Sequence, residues 1–192
     1  MNLPKNFQWL SSIGELPKMI LEGILLLGVQ EIPGPKSNPI ILKFAEDIGV
    51  KSIYKNDDTS WCALSHNAVA LRSGKKIFGY KDKYDLLRAL AFQKNGVEIN
   101  KDEWQVVEKD KAMLGDSLIF QRPGGGHIGM YIGESKTHFY VMGGNQNNMY
   151  SITRISKDRL VAVRRPYYAI QPGAVKKYFL EDSGVPITSN EA

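Results

Sequence analysis

The sequence predicts an α+β domain, with N-terminal helices packed on a roughly five-stranded antiparallel sheet. Apolar residues before position 72 recur at helical spacing in three segments, each closed by glycine. From Asp116 onward the period changes to two, in short runs separated by Gly, Asn and Lys turns. The chain has 192 residues, 43% of them hydrophobic, which is enough for one well-buried core and short for two.

The first helix starts at Pro17, carries Met19, Ile20, Ile24 and Leu27 on one side, and ends near Gly28. After the turn-rich linker "EIPGPKSNP", residues Ile40 to Gly49 form a second helix with Ile41, Phe44, Ala45 and Ile48 on one face and Gly49 as its stop. The third runs from about Trp61 to Leu71, burying Leu64, Ala68 and Leu71, and ends at Ser73–Gly74; Asp58, Thr59 or Ser60 would cap it. "KDKYDLLRALAFQK", Lys81 to Lys94, reads as another helix closed by Asn95–Gly96. The runs "DSLIFQR", "HIGMYIGE", "THFYVMGG", "MYSITRIS" and "LVAVRRP" read as the five strands. A short helix and then a polar, mobile end are expected after Tyr168.

Twenty-five Lys and Arg against twenty Asp and Glu give a formal charge of +5, which favours polyanionic partners. The basic pairs Lys75–Lys76, Arg164–Arg165 and Lys176–Lys177 are not interleaved with aromatics, so nucleic acid is not expected as a partner. The apolar run from Met19 to Val29 is broken by Glu22, Gly23 and Gly28 and is too short to span a bilayer. No membrane insertion and no signal peptide are therefore expected. The single cysteine excludes a disulfide framework, and His66, His127 and His138 lack metal-binding spacing, so no metal and no cofactor are expected. Asp57–Asp58 read as solvated loop and cap residues in preference to a calcium site.

A lone cysteine is most often a small buried hydrophobe. Cys62, however, falls in the first turn of a helix, where unpaired N–H groups and the helix dipole favour a thiolate. His127 opens a strand after Gly124–Gly126, and Asn145 lies just past the end of the next strand in "VMGGNQ". A nucleophile needs a base and the base needs a third group to hold its ring, an order that Cys62, His127 and Asn145 can supply. Taken singly, His127 is a solvated strand-edge residue and Asn145 a turn residue. The triple glycine does not open a helix, so it is read as a bare rim beside His127 and not as a phosphate loop. His66, one turn after Cys62, points along the helix and is a poorer base.

The stretches "GVQEIPGPKSNPIILKFAEDIG", "DDTSWCALSHNAVALRSG", "GDSLIFQR…GGGHIGMYIGE" and "YVMGGNQNNMYSITRISKDRLVAVRRP" together resemble the CHAP family, the cysteine, histidine-dependent amidohydrolases/peptidases, and in particular its small phage-type peptidoglycan hydrolases. The resemblance spans about Leu16 to Pro166. It implies a papain-like fold and hydrolysis of an amide or peptide bond in peptidoglycan through a thioester acyl-enzyme. It places the nucleophile on Cys62 in "WCA", the base on His127 in "GHIGMYIG" and the histidine-orienting residue on Asn145 in "GGNQ". The Cys62 N–H would serve an oxyanion hole, with Tyr54 as a candidate second donor. Two departures stand out: Ser60 where relatives often have proline, and Gly143–Gly144 where many have an acidic residue.

These readings divide the chain into an N-terminal extension, residues 1–15, a catalytic domain, 16–168, and a tail, 169–192. The expected function is an endolysin-like muramoyl–alanine amidase or endopeptidase. It would be a monomer made in the cytoplasm that reaches the cell wall after release or delivery. The rivals are an amidohydrolase of the same fold with a non-wall substrate, such as a toxin or protein-modifying enzyme, and a binding module without the chemistry.

Overall fold

The computed structural model describes residues 3–77, 81–94, 103–181 and 185–187. It is an α+β fold whose helices pack on a six-stranded antiparallel sheet. Helix α1, Lys18–Leu26, follows Pro17 and buries Met19, Ile20, Gly23, Ile24 and Leu26. Helix α2, Pro39–Asp47, is capped by Asn38, whose side chain accepts the Ile40 N–H at 2.9 Å, and stops where Gly49 takes φ +74°. Its buried face is Ile41, Phe44 and Ala45, with Ile48 just beyond, as the spacing predicts.

Helix α3, Cys62–Arg72, is the central element, buried continuously from Cys62 to Ala70. A helix enclosed on all sides needs no amphipathic stripe. Only its last turn emerges, and this corrects the expected burial of Leu71, which is 40% exposed beside the Arg72–Asp47 ion pair. No side chain caps its N-terminus: Trp61 holds the N-cap position without a side-chain bond, so the expected cap by Asp58, Thr59 or Ser60 is absent.

The single helix expected over Lys81–Lys94 is instead a 3-10 turn, Lys83–Leu87, and one α-helical turn, α4, Ala91–Lys94, separated by extended Arg88. The break has a packing cause. It brings Phe92 edge-on to the His66 ring at 5.6 Å and lays Leu90 over Gly126. The expected stop at Asn95–Gly96 lies outside the described residues.

The strands are β1, Trp104–Val107, β2, Ser117–Arg122, β3, Gly125–Glu134, β4, His138–Gly143, β5, Ser151–Ser156, and β6, Leu160–Pro166. Their order across the sheet is β1-β6-β2-β3-β4-β5. The sixth strand, which the sequence reading treats as a lead-in, is β1; it has four residues with only Trp104 buried, too short to display alternation. One face of the sheet, with Ile119, Ile128, Met130, Ile132 and Met142, joins the helices in the main core. A smaller cluster, with Leu118, Phe120, Tyr131, Phe139 and Val141, covers the other.

The first and last described segments pack on this frame. A 3-10 helix, Lys5–Ser12, buries Phe7 and Leu10, and Trp9 stacks on Tyr178 with ring centroids 4.8 Å apart. No helix follows Tyr168 among the described residues, contrary to expectation. The segment runs beside β3 instead: Glu134 N–H donates to Tyr178 O at 2.8 Å and Leu180 N–H to Glu134 O at 2.9 Å. Lys157 and Lys177 meet the buried Glu134 carboxylate at 2.6 and 3.0 Å.

Strands β3 and β4 approach closely where the site lies. A Cβ on Gly129 would stand 2.5 Å from Val141 Cγ1 and 2.9 Å from the Met142 carbonyl oxygen, so a side chain there forces the strands apart. Gly129→Ala is expected to cost about 1–3 kcal/mol, read as a lowered midpoint in denaturant with an unchanged slope.

Candidate active site

Cys62 is the first residue of α3, in contact with β3. The backbone N–H groups of Ile128, the residue after His127, and of Ala63 favour the anionic form of its sulfur. His127, the residue before Ile128 on β3, pairs with Phe120 of β2. Trp61, which precedes Cys62, is fully buried and donates Nε1–H to Glu31 at 2.7 Å. Ser65 Oγ donates back to Cys62 O at 3.1 Å.

The end of β4 lies directly on this first turn. A Cβ on Gly144 would overlap Ser65 Oγ and the Trp61 ring. An acidic side chain is therefore sterically excluded at 144, which accounts for the glycine found there. The next residues, Asn145 and Gln146, are both 1% exposed, and Asn145 adopts φ +59°, a left-handed conformation that asparagine tolerates better than most residues.

These two side chains serve different partners. Gln146 Oε1 lies 3.1 Å from His127 Nε2, whereas Asn145 Nδ2 donates to Ser60 Oγ at 3.3 Å. Gln146, a residue that the sequence did not single out, thus meets the His127 ring, while Asn145, expected to orient that ring, meets Ser60. Sequence alone gives no means of choosing between neighbouring amides in "GGNQ".

The contacts of Gln146 also fix its amide. Its Nε2 donates to Ser151 O at 2.7 Å and to Val141 O at 3.2 Å, and carbonyl oxygens only accept. Oε1 must then face His127, and as an acceptor it requires the proton on Nε2. In the neutral imidazole this leaves the lone pair on Nδ1. The ring is fully buried and stacks on Phe120, with centroids 6.4 Å apart. Gly126 is not the expected bare rim: its open side is filled by Leu90, against which a Cβ would stand 2.7 Å from Cγ.

Burial, the largest influence, pushes the Cys62 thiol up. The Ser60 hydroxyl, the Ile128 and Ala63 N–H groups and the Arg122 guanidinium pull it down. The expectation of a thiol held below its ordinary value is not met in this structure, because the sulfur's residue is only 3% exposed and has lost the water that would solvate a thiolate.

The remaining candidates have structural partners. Tyr54 donates its hydroxyl proton to Thr59 O at 2.9 Å, so that proton is already engaged. Asp57 Oδ2 accepts the Asn38 and Ile32 N–H groups at 2.7 and 3.1 Å and braces the loop before α2. Among the described residues no group of three or more His, Cys, Asp or Glu side chains is placed to hold a metal. None of their helices is long and apolar enough to cross a membrane. No family model, curated protein or solved structure matches the chain.

His66 is hydrogen-bonded to β2. Its Nε2 lies 2.8 Å from Ser117 Oγ, and burial pushes its pKa down to about 3 from 6.5. Since the folded value is the lower, between the two the unfolded chain takes up a proton that the folded chain refuses. The neutral ring's contribution is complete above about pH 6.5 and is lost as pH falls towards about 3. His66→Gln is expected to flatten the acid limb of stability by about 1.4 kcal/mol per pH unit in that window. Denaturant titrations at a series of pH values measure the slope; equal slopes would show that His66 is charged in the folded protein.

Proposed function

We propose that the chain is a cysteine amidohydrolase or peptidase of CHAP type with a papain-like arrangement, acting on peptidoglycan. The observation that carries this reading is the His127 ring, set by Gln146 in the tautomer that leaves Nδ1 basic, on the residue before Ile128, whose backbone N–H favours the Cys62 anion. A nucleophile at a helix N-terminus, a base beside it and an amide orienting the base are the parts that acyl transfer to sulfur requires.

In this mechanism His127 Nδ1 takes the Cys62 proton and the sulfur attacks the amide carbon. The Cys62 N–H, unpaired at the first position of a helix, faces the developing oxyanion. Collapse expels the amine, which takes the proton from Nδ1, and leaves a thioester. Water then attacks the thioester with His127 again as base, releasing the acid and restoring the thiol. The net charge of +5 suits an anionic wall as the polymer on which this occurs. The enclosure of the thiol favours a second reading, a wall-binding module without chemistry.

Incubating purified peptidoglycan with the protein and identifying the released fragments by mass spectrometry separates the two. New amine and carboxyl termini are expected, and their identity distinguishes a muramoyl–alanine cut from one in the stem or bridge. Wall sedimentation with no fragments identifies the module; neither binding nor fragments points to another amide substrate. Cys62→Ala is expected to abolish cleavage while remaining folded, and Gln146→Ala to lower kcat by roughly ten- to a thousandfold, part of the general-base contribution. Wild-type turnover in Gln146→Ala would show that the ring is oriented by something else.

A further inference from the structure

Beside Gln146, which meets His127, the second buried amide of the turn, Asn145, meets Ser60. Asn145 is buried, sits in the left-handed region, and aims Nδ2 at the Ser60 hydroxyl at 3.3 Å. Ser60 Oγ in turn lies 3.8 Å from Cys62 Sγ. Resting on the active-site reading above, we propose that Asn145 and Ser60 form a two-residue clamp on the sulfur, in which Asn145 orients the Ser60 hydroxyl so that its hydrogen points at the Cys62 thiolate.

The orientation follows from donor bookkeeping. A serine hydroxyl has one hydrogen and two lone pairs. With an Asn145 N–H occupying a lone pair, the hydrogen is turned away from Asn145. The sulfur, two residues along the chain, is the acceptor within reach. A thiolate can only accept, so ionisation fixes the direction of this contact, and it strengthens as negative charge builds. The thiol loses hydration through burial, and a fixed hydroxyl replaces part of it. Ser60 is only half-buried, so its hydroxyl is not required to fill the core.

Other groups also act on the sulfur. The Arg122 charge acts on it from β2, the Ala63 and Ile128 N–H groups favour its anion, Tyr54 feels its charge from the loop before α3, His66 stands one turn along the helix, and His127 is the base that the reading above assigns to it. The clamp is therefore a positioning device that must be separated from the imidazole.

The test uses the full chain, whose single cysteine makes alkylation by iodoacetamide report one site. Rates are measured in native protein from about pH 5 to about pH 10. Ser60→Ala is expected to raise the midpoint by about half a unit to one unit, and Ser60→Thr, which keeps the hydroxyl, to stay close to wild type. Asn145→Ala moves the midpoint in the same direction and adds nothing to Ser60→Ala in the double variant. The Ser60 shift persists in a His127→Ala background, whereas a shift from Gln146→Ala disappears there. Ser60→Gly repeats the measurement if alanine disturbs the fold. Coincident wild-type and Ser60→Ala profiles, with His127→Ala still shifting the midpoint, overturn the clamp and leave the active-site reading standing. A wild-type thiol that labels only on unfolding overturns both.

Discussion

The contact on which the site depends is the close approach of Gly144 to the first turn of α3. With no Cβ at 144, the end of β4 rests on the Trp61 ring and Ser65 Oγ, and any side chain would push strand and helix apart. The contact is locked from outside. Glu31 holds the Trp61 indole at 2.7 Å, and the Glu31 N–H itself donates to Asn148 O at 3.0 Å, so the loop before α2, the helix entrance and the turn after β4 form one hydrogen-bonded unit. Asp57 extends that unit by holding the backbone at Ile32 and Asn38. Helix, strand and both loops are then placed by one packing decision and a handful of hydrogen bonds.

Two neighbouring amides carry that placement to Ser60 and His127. Asn145 takes φ +59° and reaches Ser60, while Gln146 reaches His127 and spends both its N–H groups on backbone carbonyls. A buried amide with both donors occupied by obligate acceptors has its oxygen assigned by elimination. Exchanging the two residues would undo both contacts. Glutamine at 145 would extend beyond Ser60, and asparagine at 146 would fall short of the imidazole by a methylene.

The elements were legible where local rules decide. Pro17, Asn38 and Gly49 act through backbone conformation alone, so the limits of α1 and α2 follow from sequence, as do the five strands from β2 to β6. The placement of Cys62 at a helix start and of His127 near a strand start was legible because both are local signals. Tertiary constraints were not. The break between Leu87 and Ala91 comes from seating Leu90 on Gly126 and Phe92 on His66, contacts with residues far along the chain. β1 is a strand because β6 offers it an edge. Gln146 was missed because the choice between adjacent amides depends on which way the turn after β4 rotates, and that is set by Gly144 against Trp61.

The same burial that organises the candidate site works against ionisation of its thiol. A thiol enclosed by Trp61, β3 and the turn after β4 is protected from chance oxidation, which follows thiolate character and exposure, but its anion is the form that burial penalises most. What offsets this is a set of fixed dipoles in place of water: the Ile128 and Ala63 N–H groups, the Ser60 hydroxyl and the Arg122 field. Fixed dipoles need no reorganisation when charge forms. In the proposed mechanism the proton moves to His127, whose positive charge then adds to that field, so the thiolate is favoured chiefly as half of a pair with the imidazolium. Orienting the ring through Gln146 is consequently a condition for ionising the sulfur as well as for receiving its proton.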